Sequence, residues 1–294
     1  MTLRQFVRLA RMEHWVKNLF LFIPAFFAAR LSESPILQHA VTGFLAFSLT
    51  ASSVYVLNDL VDAPQDRNHP HKRNRPIASG AVGKQTAVLT LLALLGCGLA
   101  LAYTLGPAFL LICAAYAAIN VLYSFSLKHI AIVDICLIAT GFLMRVFAGG
   151  AATGVAVSHW LIVLTFLLAL ILGLAKRRGE YVIATEGQTF RRALEGYNLP
   201  FLDASITVCS TVAIVAYLMY CFSPEVTVRI GSDNIYYTAF FVIMGILRYL
   251  QLTLVFERTE SPTRALLRDV FLQIVLVGWV ASFAWLLYAK RWFM

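Results

Sequence analysis

Residues 36–66 read ILQHAVTGFLAFSLTASSVYVLNDLVDAPQD, and the change of character inside that stretch decides how the chain folds. Its first part, 36–57, is apolar and long enough for a bilayer, which takes about 20 residues of helix to cross. Its second part runs from Asn58 through Asp59, Asp62 and Asp66, and His69, Lys72, Arg73 and Arg75 follow at once. Acid and base therefore crowd together where a span meets water. Asn58 to Asp62 and Asp62 to Asp66 are each four apart and Asp59 to Asp62 three apart, so a helix gathers these groups on one side. Three clustered carboxylates repel one another unless a cation sits between them. Their hard oxygens suit Mg²⁺, which keeps several waters and usually bridges one or two carboxylates to substrate phosphates. The bases alongside suit further phosphate oxygens. A plainer reading is a polar turn at the membrane edge whose Lys and Arg fix topology. Topology alone, however, needs no Asn-Asp-x-x-Asp-x-x-x-Asp spacing.

Outward from this stretch the same character continues. The 294 residues are 60% hydrophobic and only 13% charged, with a mean hydropathy of +0.76. Nine apolar stretches read as spans: 17–33, 36–57, 86–105, 107–125, 131–152, 157–175, 201–222, 235–256 and 269–289. The first is the weakest, since it includes Lys17 and Asn18 and is broken by Pro24. Backbone groups in lipid must pair internally, and no alternating strand pattern is present. The expected fold is an all-α integral membrane bundle of about nine transmembrane helices. No soluble domain or low-complexity linker interrupts it, so residues 1–294 read as one domain.

Charge orients the bundle. Arg4, Arg8, Arg11, the bases of the 67–84 loop, Lys128, Lys176 to Arg178, Arg191, Arg192, Arg258, Arg264 and Arg268 fall on one side. That side is cytosolic by the positive-inside tendency. Arg30, Arg229, Lys290 and Arg291 fall on the other. The longest hydrophilic connections, 58–85 and 176–200, share the basic side, which places a site at the cytosolic mouth of the bundle. The net charge of +9 thus reflects insertion and phosphate handling. Nucleic acid is not an expected partner, because no basic helix or aromatic-basic platform appears. No apolar run with a small-residue cleavage site marks a removable signal peptide. The five cysteines all lie in apolar spans without Cys-x-x-Cys spacing and read as small core residues.

Charged residues within spans are functional candidates by default. Arg145 lies about eleven residues, or roughly 16 Å, along a helix from Asp134. It suits either a phosphate contact lining a cavity or a pair with Asp or Glu on another helix. Arg248 raises the same question, with a structural ion pair at least as good an answer. Tyr123, Lys128 and Asp134 form a Tyr-x4-Lys-x5-Asp spacing around a short loop. Lys176-Arg177-Arg178-Gly179-Glu180-Tyr181 opens the next long connection. Lys128 also reads as a topology anchor and Lys176 to Arg178 as a solvated stop. Glu180 pairs with Lys176 or Arg177 if the helix continues, or serves as a second metal ligand.

Asn58-Asp59-x-x-Asp62-x-x-x-Asp66 resembles the first Asp-rich motif of the UbiA superfamily of intramembrane prenyltransferases. More narrowly, the chain is similar to the branch that attaches phosphoribose to a polyprenyl phosphate of decaprenyl type. The resemblance rests on Arg11-x-x-x-Trp15-x-Lys17-Asn18, Lys72-Arg73-x-Arg75-Pro76-Ile77-Ala78-x-Gly80 and Tyr123-Ser124-x-x-Leu127-Lys128. It also rests on Gly141-Phe142-x-x-Arg145-x-x-Ala148-Gly149 and Lys176-Arg177-Arg178-x-Glu180. Prenyltransferases of the superfamily generally carry a second Asp-rich motif in the loop that corresponds to 176–200. Here that loop has no Asp, only Glu180, Glu186 and Glu195 among Arg and Lys.

The resemblance implies nine helices around a lateral, lipid-open cavity and Mg²⁺-bound diphosphate. It implies transfer of 5-phosphoribose from 5-phosphoribosyl diphosphate to polyprenyl phosphate with release of pyrophosphate. Asp59, Asp62 and Asp66 would be the catalytic and metal-holding residues. Lys17, Asn58, Lys72, Arg73, Arg75, Tyr123, Lys128, Asp134, Arg145, Lys176, Arg177 and Glu180 would bind substrate. The implied setting is a bacterial inner membrane with the site facing the cytosol, the bilayer and both phosphorylated substrates as partners, and room for a homo-oligomer. A related alternative moves a prenyl group from a prenyl diphosphate to an aromatic or quinone-precursor acceptor. A transporter, with Arg145 and Asn120 lining a path, is the alternative of another class. It lacks the inverted repeat with paired broken helices that such folds show.

Overall fold

Lipid offers no partner to a backbone amide, so the apolar stretches wind into helix. The computed structural model describes residues 1–68, 72–185, 192–257, 265 and 268–292, and no strand occurs among them. Among the described residues, eight helices are long and apolar enough to cross a membrane. The chain divides into two compact units, Met1–Lys128 with Gly141–Val157 and His129–Thr140 with Ser158–Met294.

The first unit begins with α1 (Leu3–Leu9), a 3-10 segment (Met12–Phe22) and the short α2 (Ile23–Phe27). Then come α3 (Ser34–Asp66), α4 (Lys84–Tyr103), α5 (Pro107–Phe125) and the later turns of α6 (Val133–Thr153). Pro35 sits in the first turn of α3, where its missing N–H costs nothing. The 33 residues of α3 extend roughly 50 Å, against a hydrocarbon thickness near 30 Å. Its last turns, Asn58 to Asp66, therefore continue beyond the apolar part of the same helix. The spacing argument for a shared helical face holds for this reason. A Cβ on Gly98 would lie 2.6 Å from Thr50 Oγ1 and 2.9 Å from the Thr50 amide nitrogen, so α4 lies this close to α3 only where a side chain is absent. Gly106, at φ +100, turns the chain into α5 with Pro107 at its start. The core of this unit gathers Leu21, Phe47, Val54, Phe109 and Tyr116.

The second unit holds the first turns of α6, then α7 (His159–Thr185) and α8 (Leu199–Phe222). It continues through α9 (Pro224–Ile230), α10 (Ala239–Leu250), a π-helical turn (Gln251–Val255) and α11 (Val270–Trp292). Ile135, Ile171, Leu174, Leu202, Ile206 and Leu252 form its centre.

Two expectations need correction. Residues 17–33 do not form a membrane-length helix; they divide between the 3-10 segment, α2 and a turn, and eight rather than nine candidate spans stand among the described residues. Lys17, Asn18 and Pro24 are the physical reason, since two polar side chains and a ring without an amide hydrogen disfavour one apolar helix. The connection expected to open at Lys176 begins later, because α7 continues to Thr185. His69, Glu186, Arg191, Arg258 and Arg264 lie outside the described residues, as do the side chains of Arg192, Lys290 and Arg291.

Candidate active site

At the end of α3 each of the three carboxylates meets a base from elsewhere in the first unit. Arg11 donates from Nη2 to Asp59 Oδ1. Arg75 Nη1 lies 2.6 Å from Asp66 Oδ2 and 3.2 Å from Asp59 Oδ1, so one guanidinium nitrogen bridges two carboxylates. Lys128 Nζ lies 2.5 Å from Asp62 Oδ1. Asp59 and Asp66 are buried, and so is Lys128. The Ser124 hydroxyl bonds the Asn58 side chain. Arg11 reaches Asp59 from a left-handed backbone conformation at φ 48, an energetically costly state for a non-glycine residue that is commonly met at functional sites. Lys72 and Arg73 occupy the 3-10 turn just before Arg75, half-buried and exposed respectively. Tyr123 is half-buried beside Ser124 on α5.

Among the described residues no three acidic, His or Cys groups are arranged to hold a metal ion. The donor chemistry nevertheless fits one. Asp59 and Asp66 already share a cationic nitrogen placed between them, and hard carboxylate oxygens are the ligands Mg²⁺ takes. Arginine and lysine relieve the mutual repulsion of the acids.

The opening segment lies along α3 in reverse order. Arg11 meets Asp59, Trp15 Nε1 donates to Ser52 Oγ at 3.0 Å, and Asn18 Nδ2 donates to Ser48 Oγ at 2.8 Å. The Arg-x-x-x-Trp-x-x-Asn spacing is thus a ladder of side chains docking one segment on one helix face. Asn18 Oδ1 then accepts from Arg145 Nε at 2.7 Å. Arg145 also donates to the Gly141 carbonyl at 2.6 Å and to the Tyr116 hydroxyl at 3.2 Å. The rings of Phe47, Tyr116 and Phe142 surround its guanidinium carbon at 5.2 to 5.4 Å. It is buried, and among the described residues no carboxylate lies within ion-pair distance. Lys17 is half-buried and within electrostatic reach of Arg145 and Arg11. Of the two readings of Arg145, pairing with an acid is not what the described residues display. A buried cation ringed by neutral acceptors is left with its charge uncompensated.

The second unit holds a separate network. Arg177 Nε donates to Asp134 Oδ2 at 2.6 Å, with both side chains fully buried. Arg177 Nη1 also pairs with Glu180, as the helical spacing anticipated. Lys176 Nζ lies 3.8 Å from Glu180. The Tyr197 hydroxyl donates to Asp134 Oδ1 at 2.9 Å and accepts from the Ile132 amide at 2.5 Å. Burial pushes the Tyr197 phenol above its ordinary range, which keeps it a neutral donor. Arg178 donates to Asp203 at 2.7 Å and to the Thr253 carbonyl at 3.0 Å. Arg248 pairs with Asp269 at 2.7 Å.

Arg11, Asn18 and Ser124 stood in the motifs quoted from the sequence without a role of their own, and Tyr116 was not singled out. The first two carried a signal, since they flank the Trp-x-Lys motif in a segment too polar for a span. Tyr116 carried none, as a single polar group on apolar α5.

The UbiA prenyltransferase family profile matches residues 18–276. The chain belongs to that family. As a UbiA protein it is an integral membrane transferase. It is 32% identical to decaprenyl-phosphate phosphoribosyltransferase of Mycobacterium tuberculosis over 284 residues, which is 94% of this chain and 92% of that protein. It is 29% identical to the enzyme of the same name from Mycolicibacterium smegmatis over 287 residues, 94% of this chain and 90% of that protein. The solved UbiA homologue from Archaeoglobus fulgidus bound to DMAPP and Mg²⁺ superposes with a TM-score of 0.72 at 20% identity, over 96% of this chain and 99% of that one. The UbiA fold is therefore shared.

Proposed function

We propose that this UbiA protein transfers 5-phosphoribose from 5-phosphoribosyl diphosphate to a polyprenyl phosphate of decaprenyl type, releasing pyrophosphate on the cytosolic side of a bacterial inner membrane. The observation that carries the reading is the arrangement of Arg11, Arg75 and Lys128 on Asp59, Asp66 and Asp62, in a chain that matches enzymes of that name over 94% of its length. Paired in this way, acids and bases are stored neutral and ready to exchange partners. An arriving diphosphate accepts hydrogen bonds from Arg75, Arg11 and Lys128. Asp59, Asp62 and Asp66 would be the residues that hold Mg²⁺. Bound there, Mg²⁺ would act as Lewis acid and template for the departing diphosphate. Asn58, fixed by Ser124, orients the carboxylate beside it.

A nonbridging oxygen of the acceptor phosphate attacks C1 of the ribose. The C1–O bond to the diphosphate breaks with its electron pair leaving on pyrophosphate. The acceptor is already an anion at neutral pH, so no strong base is required. Arg145 and Lys17, cations without a nearby carboxylate among the described residues, suit an anionic substrate group rather than a neutral aromatic one.

The test is transfer of labelled ribose phosphate from 5-phosphoribosyl diphosphate into an organic-extractable lipid by the pure protein. Labelled lipid is the expected result. Its absence, together with prenylation of an aromatic acceptor from a prenyl diphosphate, would overturn the proposal.

A further inference from the structure

Helix α1 has two faces of different character. Leu9 and Ala10 are fully buried, packed with Val56, Ala63, Ile77 and Val82. The Ala10 carbonyl accepts from Ser52 Oγ at 2.8 Å, and Gln5 Nε2 donates to the Ala81 carbonyl at 3.2 Å. The opposite face is left open. Leu3 is 79% exposed and Val7 38% exposed, four residues apart and so one above the other on the helix. Arg4 and Arg8, also exposed, repeat the same spacing one position on. Neither arginine has an ion-pair partner among the described residues. Arg67, Arg73 and Lys84, on the chain between the end of α3 and the start of α4, are exposed as well, with Glu13 the exposed acid nearest to α1 in the chain.

The level of this helix is fixed by what it touches. Leu9 and Ala10 cluster with Val56 and Ala63, which lie on either side of Asn58, where the apolar part of α3 gives way to the polar motif; in a spanning helix that is the headgroup layer. An apolar pair beside a basic pair at that level is the pattern of an interfacial helix, with leucine and valine entering the acyl boundary and arginines meeting lipid phosphates.

We infer that α1 is an interfacial anchor whose exposed face, Leu3 and Val7 with Arg4 and Arg8, binds the anionic glycerophospholipid surface beside the carboxylate motif. Leu3 and Val7 bury themselves between headgroups, and the two guanidinium groups take the phosphates of anionic lipids. Positive charge on the loops nearby raises the local density of such lipids.

The test is hydrogen–deuterium exchange of the α1 amides in the full chain, reconstituted in nanodiscs of phosphatidylcholine alone or of equimolar phosphatidylcholine and phosphatidylglycerol. Exchange in the wild type should slow in the anionic discs, by roughly fivefold for each arginine engaged. R4Q/R8Q should lose the difference between the two discs while α5 amides stay protected, which shows that the fold is intact. L3S/V7S should raise exchange in both. Equal exchange of the wild type in both discs overturns the inference, as does a lipid dependence that survives R4Q/R8Q. Protection reproduced by inorganic phosphate in phosphatidylcholine discs would assign the site to a free anion and overturn it too. The exchange readout holds whichever group the enzyme transfers.

Discussion

Gly149 is the place where one methyl group should have the largest consequence. It faces the backbone of Leu21, and a Cβ there would lie 2.8 Å from the Leu21 carbonyl carbon and 3.0 Å from its Cα, with the carbonyl oxygen closer still. Carbon–carbon contacts settle at about 3.5–4.0 Å, so G149A forces the Met12–Phe22 segment to withdraw by roughly 1 Å. Asn18 sits three residues before Leu21 and holds Arg145 at 2.7 Å; the same withdrawal takes that bond past hydrogen-bonding range. Overpacking of this size costs about 1–3 kcal/mol, and a lost hydrogen bond to a buried charge about 1.5–3 kcal/mol. Since one movement causes both, a combined loss of about 2–4 kcal/mol is expected, with a melting temperature lower by on the order of 5–10 °C. Turnover should fall further than stability, because a displacement near 1 Å in a positioning group costs up to ~100-fold. Scanning fluorimetry in a fixed detergent checks the first and lipid-linked product formation the second. Gly96 supplies the control: it is also within a long helix, α4, but nothing lies within 4 Å of its added Cβ. G96A should be neutral or stabilising by up to about 1 kcal/mol. If G149A melts and turns over like G96A, the close approach of Leu21 to α6 does not exist and the account of Arg145 falls with it.

Four further outcomes are expected. D59N and D62N should each abolish turnover while leaving the protein folded, and EDTA should stop the wild type; each 1.36 kcal/mol of lost leaving-group stabilisation is about tenfold in rate, and activity that persists in EDTA would remove the metal from the scheme. D134N and R177M should each destabilise by about 3–5 kcal/mol, whereas D134L/R177M should recover part of the loss, since an orphaned buried charge is worse than none; equal melting of singles and double in detergent would contradict this. Arg248, by hydrogen bonding, holds the Asp269 carboxyl below its ordinary 3.8, so the pair contributes stability that is complete above that value and is lost as pH falls through the lower folded value. The melting-temperature difference between wild type and D269N, which keeps an acceptor for the Leu272 amide, should therefore be constant near neutrality and shrink in acid. Cysteine introduced at Ser79 should react with an impermeant maleimide from the cytosolic face only, and labelling from outside in intact cells would invert the topology.

The helical face of Asn58, Asp59, Asp62 and Asp66 was legible because a three-and-four spacing maps onto one side of any α-helix. That α3 carries the motif to Asp66 follows from the same regularity, and Pro64 in its last turn does not stop it. The 12–22 segment was not legible as structure. Hydropathy treats Lys17 and Asn18 as flaws in a span, whereas Asn18 is 1% exposed and held on both sides by Ser48 and Arg145. Pairing across 127 positions leaves no periodic trace in a single sequence. Lys176 to Glu180 misled in the opposite direction: a run of charges reads as solvated connection, but Arg177 and Arg178 are buried in α7 because Asp134 and Asp203 supply their counter-charges.

The pairing pattern also explains how a chain can carry so dense a charge cluster beside lipid before substrate arrives. Three carboxylates against Arg11, Arg75 and Lys128 sum to no net charge, so the cluster folds without the desolvated repulsion that bare acids would bring. On the proposed reaction, a diphosphate with its Mg²⁺ would bring only a small net negative charge, so its entry would mainly exchange ion pairs. Arg145 and Lys17 stand outside this balance. Their charge adds to the first unit in the absence of substrate, and only an anion beyond the diphosphate would offset it. A polyprenyl phosphate or a ribose 5-phosphate brings such a group and a quinone precursor's ring does not, which is why R145L should weaken use of a phosphorylated substrate yet raise thermal stability or leave it unchanged. A variant that loses stability in proportion to activity would show instead that Arg145 serves the packing of Phe47, Tyr116 and Phe142.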